Sequence, residues 1–131
     1  MPKNSLQDRI VFITGASAGI GAACARAFAA EGARLLLAAR RVERLEAMEV
    51  DLLDAGAAAV HAFALDVQDR ASVEKSIGAL PGEWRSIDVL VNNAGLSRGL
   101  DKLWEGKTED WEEMIDTNVK GLLYVTRSVV P

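Results

Sequence analysis

The residues best suited to chemistry lie near the N-terminus, in the run Thr14-Gly15-Ala16-Ser17-Ala18-Gly19-Ile20-Gly21. An apolar, β-rich run (9–14) leads into it and an alanine-rich, helix-like run (19–31) leads out. A glycine-rich joint between strand and helix is a phosphate cradle. Gly15 suits the tight turn, Gly19 lets the backbone approach a pyrophosphate, and Gly21 lets the helix pack close to the sheet. The helix start points free N–H groups and its positive dipole end at the anion. Ser17, Ala18 and Ile20 complete the stretch expected to touch it.

A second signal stands at Ala38-Ala39-Arg40-Arg41. A site for an unphosphorylated adenosine ribose carries an Asp or Glu about 20 residues beyond the glycines. Here the first acid is Glu43, and two arginines occupy the place instead. A guanidinium pairs bidentately with phosphate and stacks on adenine. One such charged hydrogen bond contributes roughly 1.5–3 kcal/mol, enough for tenfold preference or more. The expected cofactor is therefore NADP rather than NAD, with Ser17 adding a hydroxyl to the same phosphate.

The elements that must position these residues follow from periodicity. Strands are expected over 9–14, 34–39, 59–65 and 87–92. Helices are expected over 19–31, 41–55, 70–80 and 108–130, with Asp69 and Thr108 as N-caps. The strands are apolar on both faces, as a parallel sheet covered by helices on each side requires. The fold class is α/β, a doubly wound parallel sheet, with one long loop over 95–107. At 131 residues, 50% hydrophobic and 26% charged, the chain can bury a core as one domain. A net charge of −4 argues against a nucleic-acid partner. Cys24 and His61 are single, so neither a disulfide nor a metal site is expected. No apolar run suits a membrane span or a signal peptide, so a cytoplasmic location is expected. Trp84, Trp104 and Trp111 read as core or loop anchors.

Thr14-Gly15-x-x-x-Gly19-x-Gly21, with Asn92-Asn93-Ala94-Gly95 after the fourth strand, resembles the classical short-chain dehydrogenase/reductase family over residues 8–131. The resemblance implies a Rossmann-type sheet across 1–131 that stops after the fourth strand and fourth helix. It implies that Asp66, followed by Val67, reaches the adenine amino group. It implies that the backbone of Asn93, Ala94 and Gly95 lines the nicotinamide ribose. It also implies that Asn118, within Met114–Gly121, is catalytic: the corresponding asparagine distorts its helix and holds a water for proton relay. The stretches 80–88 and 109–118 are similar to NADP-dependent 3-hydroxy acid dehydrogenases, with a small-molecule substrate such as serine or allo-threonine. Other readings are a 3-oxoacyl-thioester reductase or a non-catalytic NADP-binding module.

The family's reaction needs a Tyr-x-x-x-Lys pair, in which the lysine one helical turn on lowers the tyrosine pKa. The one tyrosine here is Tyr124, with Ser128 four residues later, and it reads as packing. The catalytic serine, tyrosine and lysine are therefore expected outside these residues, which by themselves should be inactive. The fourth strand should present an unpaired edge, and Leu122, Leu123, Val125 and Val129 should be exposed. A homo-oligomer, a tetramer by resemblance, is the expected assembly.

Overall fold

A computed structural model describes residues 6–94 and 105–130. Four strands, β1 (Ile10–Thr14), β2 (Arg34–Ala39), β3 (Ala59–Ala64) and β4 (Val89–Val91), form one sheet in the order β3-β2-β1-β4, all parallel. The register sets Phe12 beside Leu36 and Leu90, and Leu36 beside His61. Helices α1 (Gly19–Ala30) and α2 (Val42–Asp54) return the chain between β1, β2 and β3. Helix α3 (Arg70–Gly78) then leads to β4, on the far side of β1.

Strand alternation divides the core. Val11, Ile13, Leu35 and Leu37 pack with Ala25 and Ala29 of α1 and Leu45 and Leu52 of α2. Ile10, Phe12, Leu36 and Ala38 pack on the opposite face with Val73 and Ile77 of α3. Both faces of β1 and β2 are thus covered, which makes the sheet doubly wound. Alanine serves α1 twice, as the strongest helix former and as a side chain short enough to seat the helix on the strands.

Helix ends follow from nearby polar groups. Asp69 caps α3, its carboxylate accepting from Ser72 N at 3.1 Å. At the other end, Arg85 donates from Nε to the Leu80 carbonyl (2.9 Å) and from Nη2 to the Gly78 carbonyl (2.7 Å). Carbonyls left free by the helix end are satisfied in this way. Trp84 is buried in the second core and stacks on His61, with ring centroids 5.6 Å apart. Both are packing residues.

The last helical stretch departs from the expected uniform helix. It runs as α4 (Thr108–Ile115), a π-helical segment (Asp116–Gly121) and α5 (Leu122–Val129). Thr108 does not cap it: Lys107 holds the cap position and no side chain bonds the free N–H groups. Glu109 and Asp110 in the first turn still suit the positive helix end. The expected exposure of four apolar residues is corrected at two. Val125 is fully buried against the sheet, and Val129 and Tyr124 pack against the same core. Leu122 and Leu123 are exposed, and Trp111, Ile115 and Val119 extend the exposed apolar stripe along one side. Trp111 is therefore no core anchor, although its ring closes on Gly106. Trp104 and most of the expected 95–107 loop lie outside the described residues. Among the described residues no helix is long and apolar enough to cross a membrane.

Leu36 lies on a central strand, is fully buried and packs in the second core. Leu36→Ala should lower the free energy of unfolding by about 2–5 kcal/mol. Urea denaturation followed by circular dichroism checks this; a loss under ~1 kcal/mol would show that the core collapses around the gap.

Candidate functional site

Successive crossovers run outward from β1 in opposite directions, through β2 and β3 on one side and to β4 on the other. A crevice opens at the carboxyl ends of the strands where the winding reverses. A cavity of about 410 Å³ lies there. Its floor is Thr14 and Gly15 from the end of β1, Ala38 and Ala39 from β2, and Asn93 and Ala94 after β4.

A hydroxyl holds the crevice in shape. Thr14 is buried, and its Oγ1 accepts from Asn93 N (3.1 Å) and Ala94 N (3.0 Å) while facing the Val91 carbonyl at 3.5 Å. In return the Asn93 side chain donates from Nδ2 to the Gly15 carbonyl at 3.0 Å. The turn after β1 is therefore bonded directly to the turn after β4. Asn92 Nδ2 bonds Thr126 Oγ1 at 3.0 Å and ties the same turn to α5.

The glycine turn meets steric conditions that only glycine satisfies. Gly15 has φ +62° and Gly19 φ +57°. A Cβ on Gly21 would fall on the Gly15 carbonyl oxygen and stand 2.6 Å from Asn93 Nδ2. The helix start is thus pressed against the strand ends, which brings its N–H groups to the crevice.

The structure brings together many of the residues singled out from sequence. Gly15, Ser17, Ala18, Arg40, Arg41 and Val67 line the cavity, together with Asn93 and Ala94. Gly19, Ile20, Gly21, Asp66 and Asn118 are not in its lining. Ile20 is exposed, and Gly19 and Gly21 belong to the turn beside it. Asp66 stands at the rim: its Oδ1 lies 3.9 Å from Arg40 Nε and accepts from Gln68 N at 3.0 Å. Asn118 lies in the π-helical segment and is exposed. Gly95 lies outside the described residues.

Outside the motif runs, three lining residues were missed from sequence: Arg44, Leu65 and Thr117. The signal for Arg44 was available, because it follows Arg40 by four residues and Arg41 by three, one helical turn. Arg41 is the α2 N-cap and makes no side-chain cap bond. Cations at a positive helix end are unfavourable by roughly 0.3–1 kcal/mol each. Three arginines are nevertheless gathered on the cavity wall after β2. No sequence signal pointed to Thr117 except its place beside Asn118. Among the described residues there is no group of three or more metal-ligating side chains.

Residues 9–131 match the family model for short chain dehydrogenase. The chain belongs to the short-chain dehydrogenase family. Among its relatives, the NADP-dependent 3-hydroxy acid dehydrogenase YdfG of Salmonella typhi is 48% identical over 122 residues, covering 93% of this chain and 48% of the relative. The serine 3-dehydrogenase of Agrobacterium fabrum is 43% identical over 121 residues, 92% of this chain and 47% of the relative. The fold is similar to the closed form of a serine dehydrogenase complexed with NADP+, with TM-score 0.85, 45% identity, and coverage of 93% of this chain and 48% of that one. The chain thus spans about half the length of the curated short-chain dehydrogenases it matches.

Thr14→Val keeps the volume and removes the hydroxyl that two half-buried N–H groups share. Unfolding free energy should fall by about 1–3 kcal/mol, the cost of orphaning the Ala94 N–H, while Asn93 N keeps its bond to the Val91 carbonyl. Chemical denaturation checks this; an unchanged midpoint would mean that the two turns are held together by other contacts.

Proposed function

We propose that the crevice binds NADP and that residues 1–131 are the cofactor-binding half of an oxidoreductase acting on a small 3-hydroxy acid or a related alcohol. The observation that carries this reading is the set of Arg40, Arg41 and Arg44 at the wall of a cavity whose lining holds no carboxylate. The residues fit the group. Gly15, Gly19 and Gly21 form a turn that admits a pyrophosphate, and the start of α1, with Ser17, Ala18 and Ile20 beside it, offers N–H groups. Arg40 and Arg41 hold the 2′-phosphate. Asp66 and Val67 would border the adenine, and the Asn93 and Ala94 backbone would line the nicotinamide ribose. When bound, the nicotinamide supplies hydride transfer.

The protein's own part is to orient and to exclude water. The Thr14–Asn93 bonding holds two strand ends at a set separation, so the crevice is shaped before the ligand arrives. Asn118 stands in a π-helical segment, and such segments gather at functional positions. We assign it to the proton relay, where it would hold a water. The tyrosine and lysine of that relay are not among these 131 residues, because the residue four after Tyr124 is Ser128 rather than a lysine, and Tyr124 packs against the core. Taken by themselves these residues are a nucleotide-binding module. The exposed stripe on α4 and α5 supports association with another copy, and the substrate is a small molecule rather than a nucleic acid. A cytoplasmic location accords with the unpaired Cys24.

Isothermal titration should show NADPH binding at least ~10-fold tighter than NADH, and Arg40→Asp should abolish or reverse the preference. Equal affinities in the parent chain would remove the arginine argument. An unchanged preference in Arg40→Asp would move the phosphate contact to Arg41 and Arg44. The 131-residue chain should show no turnover of allo-threonine with NADP by absorbance of the reduced nicotinamide. Measurable turnover would place proton transfer on Tyr124 or another group within these residues.

A further inference from the structure

Thr117 is only 5% exposed, and its Oγ1 has no hydrogen-bond partner among the described residues. It is the one buried side-chain polar atom so placed among them. A buried hydroxyl without a partner costs about 1–3 kcal/mol, so native structures rarely leave one. In a regular helix a threonine avoids that cost by bonding the carbonyl three or four residues back. Thr126, nine residues further along, does so: its Oγ1 donates to the Leu122 carbonyl at 2.7 Å. Thr117 sits instead within the π-helical segment, Asp116–Gly121, and this local bond is absent there.

The same hydroxyl-bearing residue lines the cavity, together with Leu65 and Val67 from the end of β3. The helix approaches that wall closely, for a Cβ on Gly121 would stand 2.7 Å from Val67 Cγ2 and 3.0 Å from the Val67 carbonyl. Thr117 precedes Gly121 by four residues, so the π segment seats it next to the Leu65–Val67 wall. Resting on the reading of this crevice as the nucleotide site, we infer that the Thr117 hydroxyl is a hydrogen-bonding group for the adenosine half of the bound dinucleotide. It is a further binding residue, distinct from the arginines because it serves NADP and NAD alike. The ligand completes the bonding that the helix leaves open.

The test is titration of the 131-residue chain and its Thr117→Val variant with NADPH, NADH and 2′-phospho-ADP-ribose, which lacks the nicotinamide. The variant keeps the volume and removes the hydroxyl. Its unliganded melting temperature should stay the same or rise. Its affinity for all three ligands should fall about 5–10-fold, the worth of one hydrogen bond, with the NADPH-to-NADH ratio unchanged. Thr117→Ser should restore binding to within about twofold. Should the valine variant fail to fold, Thr117→Ala removes the same hydroxyl and must give the same loss. Undiminished affinity in a folded variant overturns the inference and leaves the crevice reading intact. A loss seen for NADPH and NADH but not for 2′-phospho-ADP-ribose overturns the adenosine assignment. If the parent chain binds none of the three, the nucleotide reading itself fails, and this inference with it.

Discussion

The arrangement depends on one threonine hydroxyl. Thr14 Oγ1 accepts two backbone N–H groups from residues about eighty positions away in the chain, and Asn93 answers with a bond to the Gly15 carbonyl. β1 and β4 are neighbours by register alone over three residue pairs, a short ladder. The hydroxyl extends that pairing past the strands into the two turns that floor the crevice. Breaking the node would cost more than a contact: it would orphan the Ala94 N–H and leave Asn93 N with its bond to the Val91 carbonyl alone. Stability and ligand geometry thus share the same atoms.

The winding of the sheet explains why the crevice is where it is. Crossovers through α1 and α2 build outward on one side of β1, and the crossover through α3 builds on the other. Between them nothing can fill the space above the strand ends without crossing a connection. The glycine turn, the end of β2 and the turn after β4 all open into that space. Gly21 allows the first helix to be pressed in far enough for its N–H groups to serve it.

The charges and the π-helical segment run against local preference in a related way. Arg40, Arg41 and Arg44 crowd a positive helix end, and neither Arg41 nor Arg44 has an ion-pair partner among the described residues. Arg40 has only a long, half-exposed contact with Asp66, worth little in water. The π segment leaves a buried hydroxyl unpaired beside the same cavity. Both departures from local preference lie on one cavity, a pattern typical of functional positions. A phosphorylated nucleotide would offset both at once.

Much was legible in the sequence because it depends on local pattern. The alternation of apolar runs and amphipathic stretches placed all four strands, and it placed α1, α2 and α3 to within a few residues at their ends. The Asp69 cap and the glycine turn were legible because each acts within a few residues of itself. Tertiary structure decided what depends on partners distant in the chain. It buried Val125, because α5 lies against the second face of the sheet, while Leu122 and Leu123 on its other side remained exposed. It denied Thr108 a capping role. It drew Arg44 to the cavity through the direction of α2, and Thr117 through a helix whose hydrogen bonds shift by one residue. Periodicity reports which side of an element is apolar. It does not report which neighbour that side meets, nor which polar group is left without one.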